Sequence, residues 1–254
     1  FGAPWRGNGD CGRGVRLRIA ARPGGRYVAD WRVMYNRAGQ EVGRSRDCTG
    51  LHGLAGNATG ALYGCADGAL LVSAGSAGAT FTKFVHASDT RFGVGTVWAR
   101  DGQPNFLVLM SIRGQAVSTQ TRSLGVTQAS TRTMLPITLP NGDLDWTANI
   151  DHSGRYAVVL GRTGALYVID MATRAVTGTL PALVPAMPTS GTVLTPFLAF
   201  VEGALYMTSP TQGRVYEIAL SANGAPTLTR TLQVGGTPER IVVLGVTENR
   251  TLQR

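Results

Sequence analysis

Two cysteines and a histidine stand close together in "DCTGLHGLAGNATGALYGCADGALLV", residues 47–72: Cys48, His52 and Cys65. Thiolate and imidazole are favoured zinc ligands, so the trio could supply three of the four groups of a metal site. It could equally be a disulfide that straddles a histidine. Structural zinc sites bring their cysteines in close Cys-x₂₋₄-Cys pairs, whereas these two lie 17 positions apart. In an oxidising compartment, a disulfide closing a loop of that size stabilises by roughly 3 kcal/mol in the chain-entropy picture. A Cys48–Cys65 disulfide is therefore expected, with metal ligation and free thiols as the alternatives. Cys11 is the odd cysteine, either a free thiol or paired outside this sequence.

The remaining chemistry-bearing residues are few. His86, in "KFVHASDTRFG", has Asp89 three positions on, and His152 lies in the turn-forming "NIDHSGRY". "GNGDCG" satisfies G-x-G-x-x-G at Gly7, Gly9 and Gly12, but no strand leads into it and no helix leaves it, so it fails the context of a dinucleotide site. No nucleophile elbow, HExxH or phosphate loop is present, and "NGDLD" lacks the rest of a twelve-residue calcium loop. The sequons at Asn57 and Asn249 are short enough to arise by chance.

The elements that must position these residues are strands. The chain has 254 residues, 43% hydrophobic and only 15% charged, with 34 glycines, which suits a turn-rich β protein. No apolar run reaches the roughly 18 residues of a membrane helix, so no membrane span is expected. The net charge of +9 is concentrated at one end: residues 1–46 hold ten arginines against Asp10, Asp30 and Glu41, or +7, and the rest of the chain carries +2. There "RGVRLRIAARPGGRYVADWRV" alternates arginine with apolar residues, the pattern of strands with one wet face. A solvated face, rather than a nucleic-acid surface, is the reading taken. The chain begins "FGAPW", which reads as a mature or truncated form from which a secretion signal is already gone.

Self-similarity runs through the sequence. "GALYGCADGALLVSAGSAGATFTKF", "VGTVWARDGQPNFLVLMSIRGQAVSTQTRSL", "WTANIDHSGRYAVVLGRTGALYVIDMATRAVTGTL" and "TPFLAFVEGALYMTSPTQGRVYEIALSANGAPTLTRTL" share one pattern of strands and turns. Their first strands recur about every 45 residues, the period of a four-stranded propeller blade. In the third unit a strand over Asp145–Ile150 turns at "DHSG" into "RYAVVLG", then through "RTG" into "ALYVID" and through "MATR" into "AVTGTL". The expected fold is all-β, a single β-propeller domain of four-stranded antiparallel blades. Atypical strands occupy 1–50, blades lie near 51–90, 91–142, 143–190 and 191–236, and a closing strand covers 237–246. About five blades make either a small ring or the C-terminal part of a larger one, and an incomplete ring would invite oligomerisation. His52 then stands where an innermost strand begins, at the channel mouth, and His86 in the connection to the next blade. His152 falls on the opposite face. Trp98 and Trp146 are expected to pack in the core.

At this point the opening stretch resembles a known pair of motifs. "CTGLHG" followed by "GCADGALLV" is similar to the Cys-Pro-Gly-Leu-His-Gly and Gly-Cys-Glu-Asp-Gly pair of AztD-type periplasmic zinc metallochaperones. "VGTVWARDG", "LAFVEGALYMTSPTQGRVYEIAL" and "GTPERIVVLGV" continue the likeness over residues 36–246. Leu54 stands where that family usually has an acidic residue, and family members carry further blades before this region. The resemblance implies a β-propeller that binds zinc and hands it to the periplasmic solute-binding protein of a zinc ABC importer. It implies a periplasmic or secreted location and no catalysis, with His52 as a zinc ligand and His86 as the residue that could join it. A propeller that serves as an interaction scaffold without zinc, and a lactonase-like hydrolase, are the alternatives. The blade starts "HGLAG", "VGTVW", "WTANI" and "TPFLAF" are mostly apolar, which argues against hydrolysis.

Overall fold

The computed structural model describes residues 10–11, 15–19, 32–36, 38–75, 78–115, 120–201 and 203–242. These fall into two compact units, divided between Pro136 and Ile137. The first unit opens with the sheet β1 (Asp10–Cys11), β2 (Val15–Ile19), β3 (Arg32–Tyr35) and β4 (Glu41–Ser45), joined antiparallel in chain order. The Arg-rich segment thus contains strands. The side chains of β1, β2 and Arg32, and with them the pairing of Cys11, lie outside the described residues, as do Gly7, Gly9 and Gly12 of "GNGDCG" and Asn249.

The next two blades are β5 (Leu54–Asn57), β6 (Gly60–Cys65), β7 (Gly68–Gly75), β8 (Gly78–His86), and β9 (Phe92–Trp98), β10 (Leu107–Ile112), β11 (Arg122–Gln128), β12 (Thr133–Ile137). Each is an antiparallel meander. Their outermost strands also touch: β8 and β12 pair in parallel, Val85 with Thr133 and His86 with Met134, so the two blades form one eight-stranded sheet. Hairpin turns rest on short polar side chains. Between β5 and β6, for example, Asn57 Oδ1 accepts hydrogen bonds from the backbone N–H of Thr59 at 2.8 Å and its hydroxyl at 2.6 Å.

The second unit contains β13 (Asp145–Ile150), β14 (Tyr156–Gly161), β15 (Leu166–Asp170), β16 (Val176–Leu180), and β17 (Leu198–Val201), β18 (Ala204–Ser209), β19 (Arg214–Leu220), β20 (Pro226–Gln233). Two 3₁₀ turns, Pro140–Gly142 and Pro210–Gln212, are the helical elements among the described residues. No helix here is long and apolar enough to cross a membrane. The segment expected to close the fold, 237–246, carries no strand over 237–242. There the Arg240 guanidinium lies 4.9 Å over the Phe197 ring, and residues 243–246 lie outside the described set.

Burial follows strand position. Every residue of β6 and β14 is buried, because neighbouring layers cover both faces of an inner strand, and such strands read as continuous apolar runs. The outermost β20 is mostly exposed. In the first unit Leu62, Phe84, Val94, Phe106, Met110 and Met134 pack the two blades together, and Met34, Tyr63, Leu70 and Val72 form a second cluster around the two cysteines. In the second unit alternate residues of β14, Val158 and Leu160, meet Leu205, Met207, Tyr216 and Ile218 of the next blade. Fully burying one such side chain contributes about 1.5–3 kcal/mol. Trp98 is 8% exposed, and Trp146 packs against the second unit's core, as their positions on innermost strands led us to expect.

Candidate functional site

The segment 48–53 is held at both ends. Cys48 and Cys65 form a disulfide with a Cα–Cα distance of 5.0 Å, and both residues are buried, at 2% and 0% exposure. The backbone then lies along β6: the N–H of His52 donates to the carbonyl of Gly64 at 2.9 Å, Gly64 N–H to Gly53 at 2.7 Å, and Ala66 N–H to Thr49 at 2.7 Å. Gly53 ties the segment to the neighbouring blade by donating to the Gly95 carbonyl at 2.9 Å. A Cβ on Gly53 would lie 2.8 Å from that carbonyl oxygen and 3.0 Å from Thr96 Cα, so the approach is open to glycine alone. The cysteines thus act as a pin, and the residue they pin in place is His52.

His52 is exposed, and its ring is already engaged. Arg113 Nη1 donates to His52 Nε2 at 2.9 Å. Guanidinium can only donate, so Nε2 is the unprotonated nitrogen and the proton of the neutral ring resides on Nδ1. Partial burial, and then the charge of Arg113, push the His52 pKa below its ordinary value. Arg113 comes from the hairpin after β10, 61 positions along the chain. Its Nη2 donates to the Val94 carbonyl at 3.1 Å, and its Nε lies against Gly93, buried and without a partner among the described residues.

His86 ends β8 and is 6% exposed. Its Nδ1 accepts the backbone N–H groups of Ser88 at 3.2 Å and Asp89 at 3.1 Å, which places the proton of the neutral ring on Nε2. The ring stacks on Phe92 with centroids 4.5 Å apart. Burial lowers the His86 pKa, and the nearby Asp89 carboxylate opposes that shift. Asp89 is itself engaged, gripped by Arg91 through Nε and Nη2, and hydrogen bonds from Arg91 hold its carboxyl down at about 2. His152 stands in the β13–β14 hairpin, whose turn is closed by Asp151: Oδ2 accepts from Ser153 N–H at 3.0 Å, and Oδ1 from Tyr156 N–H at 2.8 Å.

These arrangements decide how well zinc fits. A neutral imidazole binds a metal through its one free lone pair. In His52 that lone pair is occupied by Arg113, and in His86 by two backbone amides. Among the described residues no three His, Cys, Asp or Glu side chains converge as a ligand set, and the structure does not bring His52 and His86 together with a third ligand. The cysteines are unavailable to a metal while joined. As they stand, the described residues do not fit a zinc site. Sequence reasoning missed Arg113. Nothing in "SIRGQ" marks it, since it matters only through a contact made across the fold.

No protein-family model and no curated protein sequence matches the chain. Among solved structures, this one is similar to AztD from Citrobacter koseri, at 17% identity and a TM-score of 0.66, over 88% of this chain and 57% of that chain. Apo AztD from the same organism gives 18% identity and a TM-score of 0.67, over 89% and 59%. Sqt1 from Chaetomium thermophilum is a more distant likeness, at 12% identity and a TM-score of 0.51, over 82% and 55%. The chain therefore spans less than two thirds of the length of the AztD chains it resembles. The likeness is one of fold: a β-propeller of four-stranded antiparallel blades with the architecture of AztD.

Proposed function

We propose that the chain is part of an extracytoplasmic, non-enzymatic β-propeller of the AztD kind that serves zinc handling through protein contact, its partner being the solute-binding protein of a zinc importer. The observation that carries this reading is the match to AztD over 88% of the chain. The buried Cys48–Cys65 disulfide supports the oxidising compartment. Zinc is the proposed cargo of the system. His52 and His86 are not proposed to hold it as they stand, because a ligand must present a free lone pair and theirs are occupied. The contact role stands without them.

The test has two measurements. Calorimetric titration of this protein with the zinc importer's solute-binding protein from the same organism is expected to show micromolar association, and no detectable association would overturn the proposal. Competition for zinc against a chromophoric chelator is expected to give the same result for the parent protein, His52→Ala and His86→Ala. Submicromolar zinc binding that disappears in His52→Ala would restore that residue as a ligand and refute the lone-pair argument. Turnover of a lactone panel would refute the non-enzymatic reading.

A further inference from the structure

Arg113 is a half-buried cation without a counter-charge. Three cations of the first unit stand against carboxylates: Lys83 against Asp67 at 2.6 Å, Arg91 against Asp89 at 2.7 Å, and Arg44 against Glu41. Arg113 makes no such pair among the described residues, and its one charge-relevant neighbour is the neutral ring of His52. Burial pushes its guanidinium below the ordinary value, yet arginine remains cationic. A charge taken out of water and left unpaired is costly, and folds retain one where something completes it. Of the five guanidinium N–H groups, one binds His52, one binds Val94 and the Nε–H is buried. Among the described residues the other two, one on each terminal nitrogen, meet no acceptor. The side chain is braced rather than free: it lies against Gly93 and Val94 at the start of innermost strand β9, and His52 steadies it from the disulfide-pinned segment. A braced guanidinium with unfilled donors on its two terminal nitrogens is shaped for a carboxylate.

We infer that Arg113, steadied by His52, is a carboxylate-binding site, and that its occupant is an Asp or Glu side chain on an acidic segment of a partner protein. This rests on the protein-contact role proposed above and names the chemistry of that contact. The uncompensated charge of Arg113 itself favours an acidic partner segment.

The probe is a fluorescein-labelled polyglutamate peptide, followed by fluorescence anisotropy with the full chain at low salt. Arg113→Gln is expected to weaken its binding by at least about tenfold. The charge-matched control, Arg132→Gln at an exposed position, is expected to change it by less than about twofold. Arg113→Lys, which keeps the charge and loses the planar fork, should fall between them. Equal losses in the two glutamine variants would mean that only net charge is sensed, and would overturn the site. Displacement of the peptide by equimolar citrate would assign the site to a small free carboxylate and overturn the partner segment. Should Arg113→Gln fail to fold, the wild-type protein gives the answer: the Arg113 side-chain N–H resonances must shift on adding peptide, and static resonances refute the inference. Failure of peptide binding with association to the solute-binding protein intact removes this site alone. The opposite pattern removes the proposed partner and leaves the site.

Discussion

Reducing the Cys48–Cys65 bond should loosen the first unit by an amount that the loop itself sets. The bond spans 17 positions, and closing a loop of that size removes about 10 cal/mol/K of entropy from the unfolded chain, or about 3 kcal/mol at room temperature. Both cysteines are buried among Met34, Tyr63, Leu70 and Val72, and reduction removes no heavy atom, so no cavity cost is added. For a protein of this size, about 3 kcal/mol lowers the melting temperature by roughly 6–12 °C. The assay is differential scanning calorimetry with and without a phosphine reductant, alongside thiol titration. The native protein should show no reactive thiol from Cys48 or Cys65, and two should appear on unfolding in reductant. A Cys48→Ala/Cys65→Ala variant should melt at or below the reduced wild type, since it also loses the two buried sulfur atoms. An unchanged melting temperature on complete reduction would refute the entropic reasoning. Reactive thiols at both positions in the native protein would refute the bond itself.

Three further perturbations test the neighbouring geometry. Gly53→Ala forces a Cβ to 2.8 Å from the Gly95 carbonyl oxygen and should destabilise by about 1–3 kcal/mol in denaturant melts, whereas an unchanged midpoint would mean that the two blades part easily there. His86 has a folded pKa below its ordinary value of 6.5, so the unfolded chain binds the proton more readily: stability should be full above pH 6.5 and fall as pH drops through the folded pKa. His52 contributes with the same sign. His86→Asn, which keeps an acceptor for the Ser88 and Asp89 amides but does not titrate, should flatten that slope in melts between pH 7 and 5, and an undiminished slope would clear His86 of the effect. Trp146 Nε1 is buried with no partner among the described residues, so Trp146→Phe, which removes an unsatisfied donor, should stay within about 1 kcal/mol of the parent, while Trp146→Ala should lose about 3–5 kcal/mol. A heavy loss in the phenylalanine variant would show that this N–H has a partner in solution.

The blades were legible because their cause is local. Inner strands covered on both faces must be apolar throughout, and the turns between them need Asp, Asn, Ser or Gly. "DHSGRYAVVLGRTGALYVID" states both, and the strand expected over Asp145–Ile150 has those bounds in the structure. Thr133 and Met134, by contrast, pair in parallel with Val85 and His86, 48 positions away, and no local pattern marks such a ladder. The terminal "TPERIVVLGV" has the composition of a strand, yet composition supplies no partner. Over 237–242 the backbone is not in a sheet, and a single stacking contact of Arg240 on Phe197 is what the structure records.

The site was legible in its residues and illegible in its contacts. Spacing and residue type found Cys48, Cys65 and His52, and the disulfide follows from the same reasoning that disfavoured a structural zinc. Whether a histidine can ligate, however, depends on which nitrogen keeps its lone pair, and that is set by the donor that folding brings to it. For His86 the donors are amides two and three positions on, a local turn that the "HASD" sequence permits without announcing. For His52 the donor is a guanidinium 61 positions away, delivered by a hairpin of the next blade. The same contact leaves Arg113 as a braced, half-buried cation with donors to spare. A histidine read from sequence as a metal ligand thus becomes, in the fold, the support of an anion-seeking arginine. That inversion turns on the 2.9 Å contact between Arg113 Nη1 and His52 Nε2.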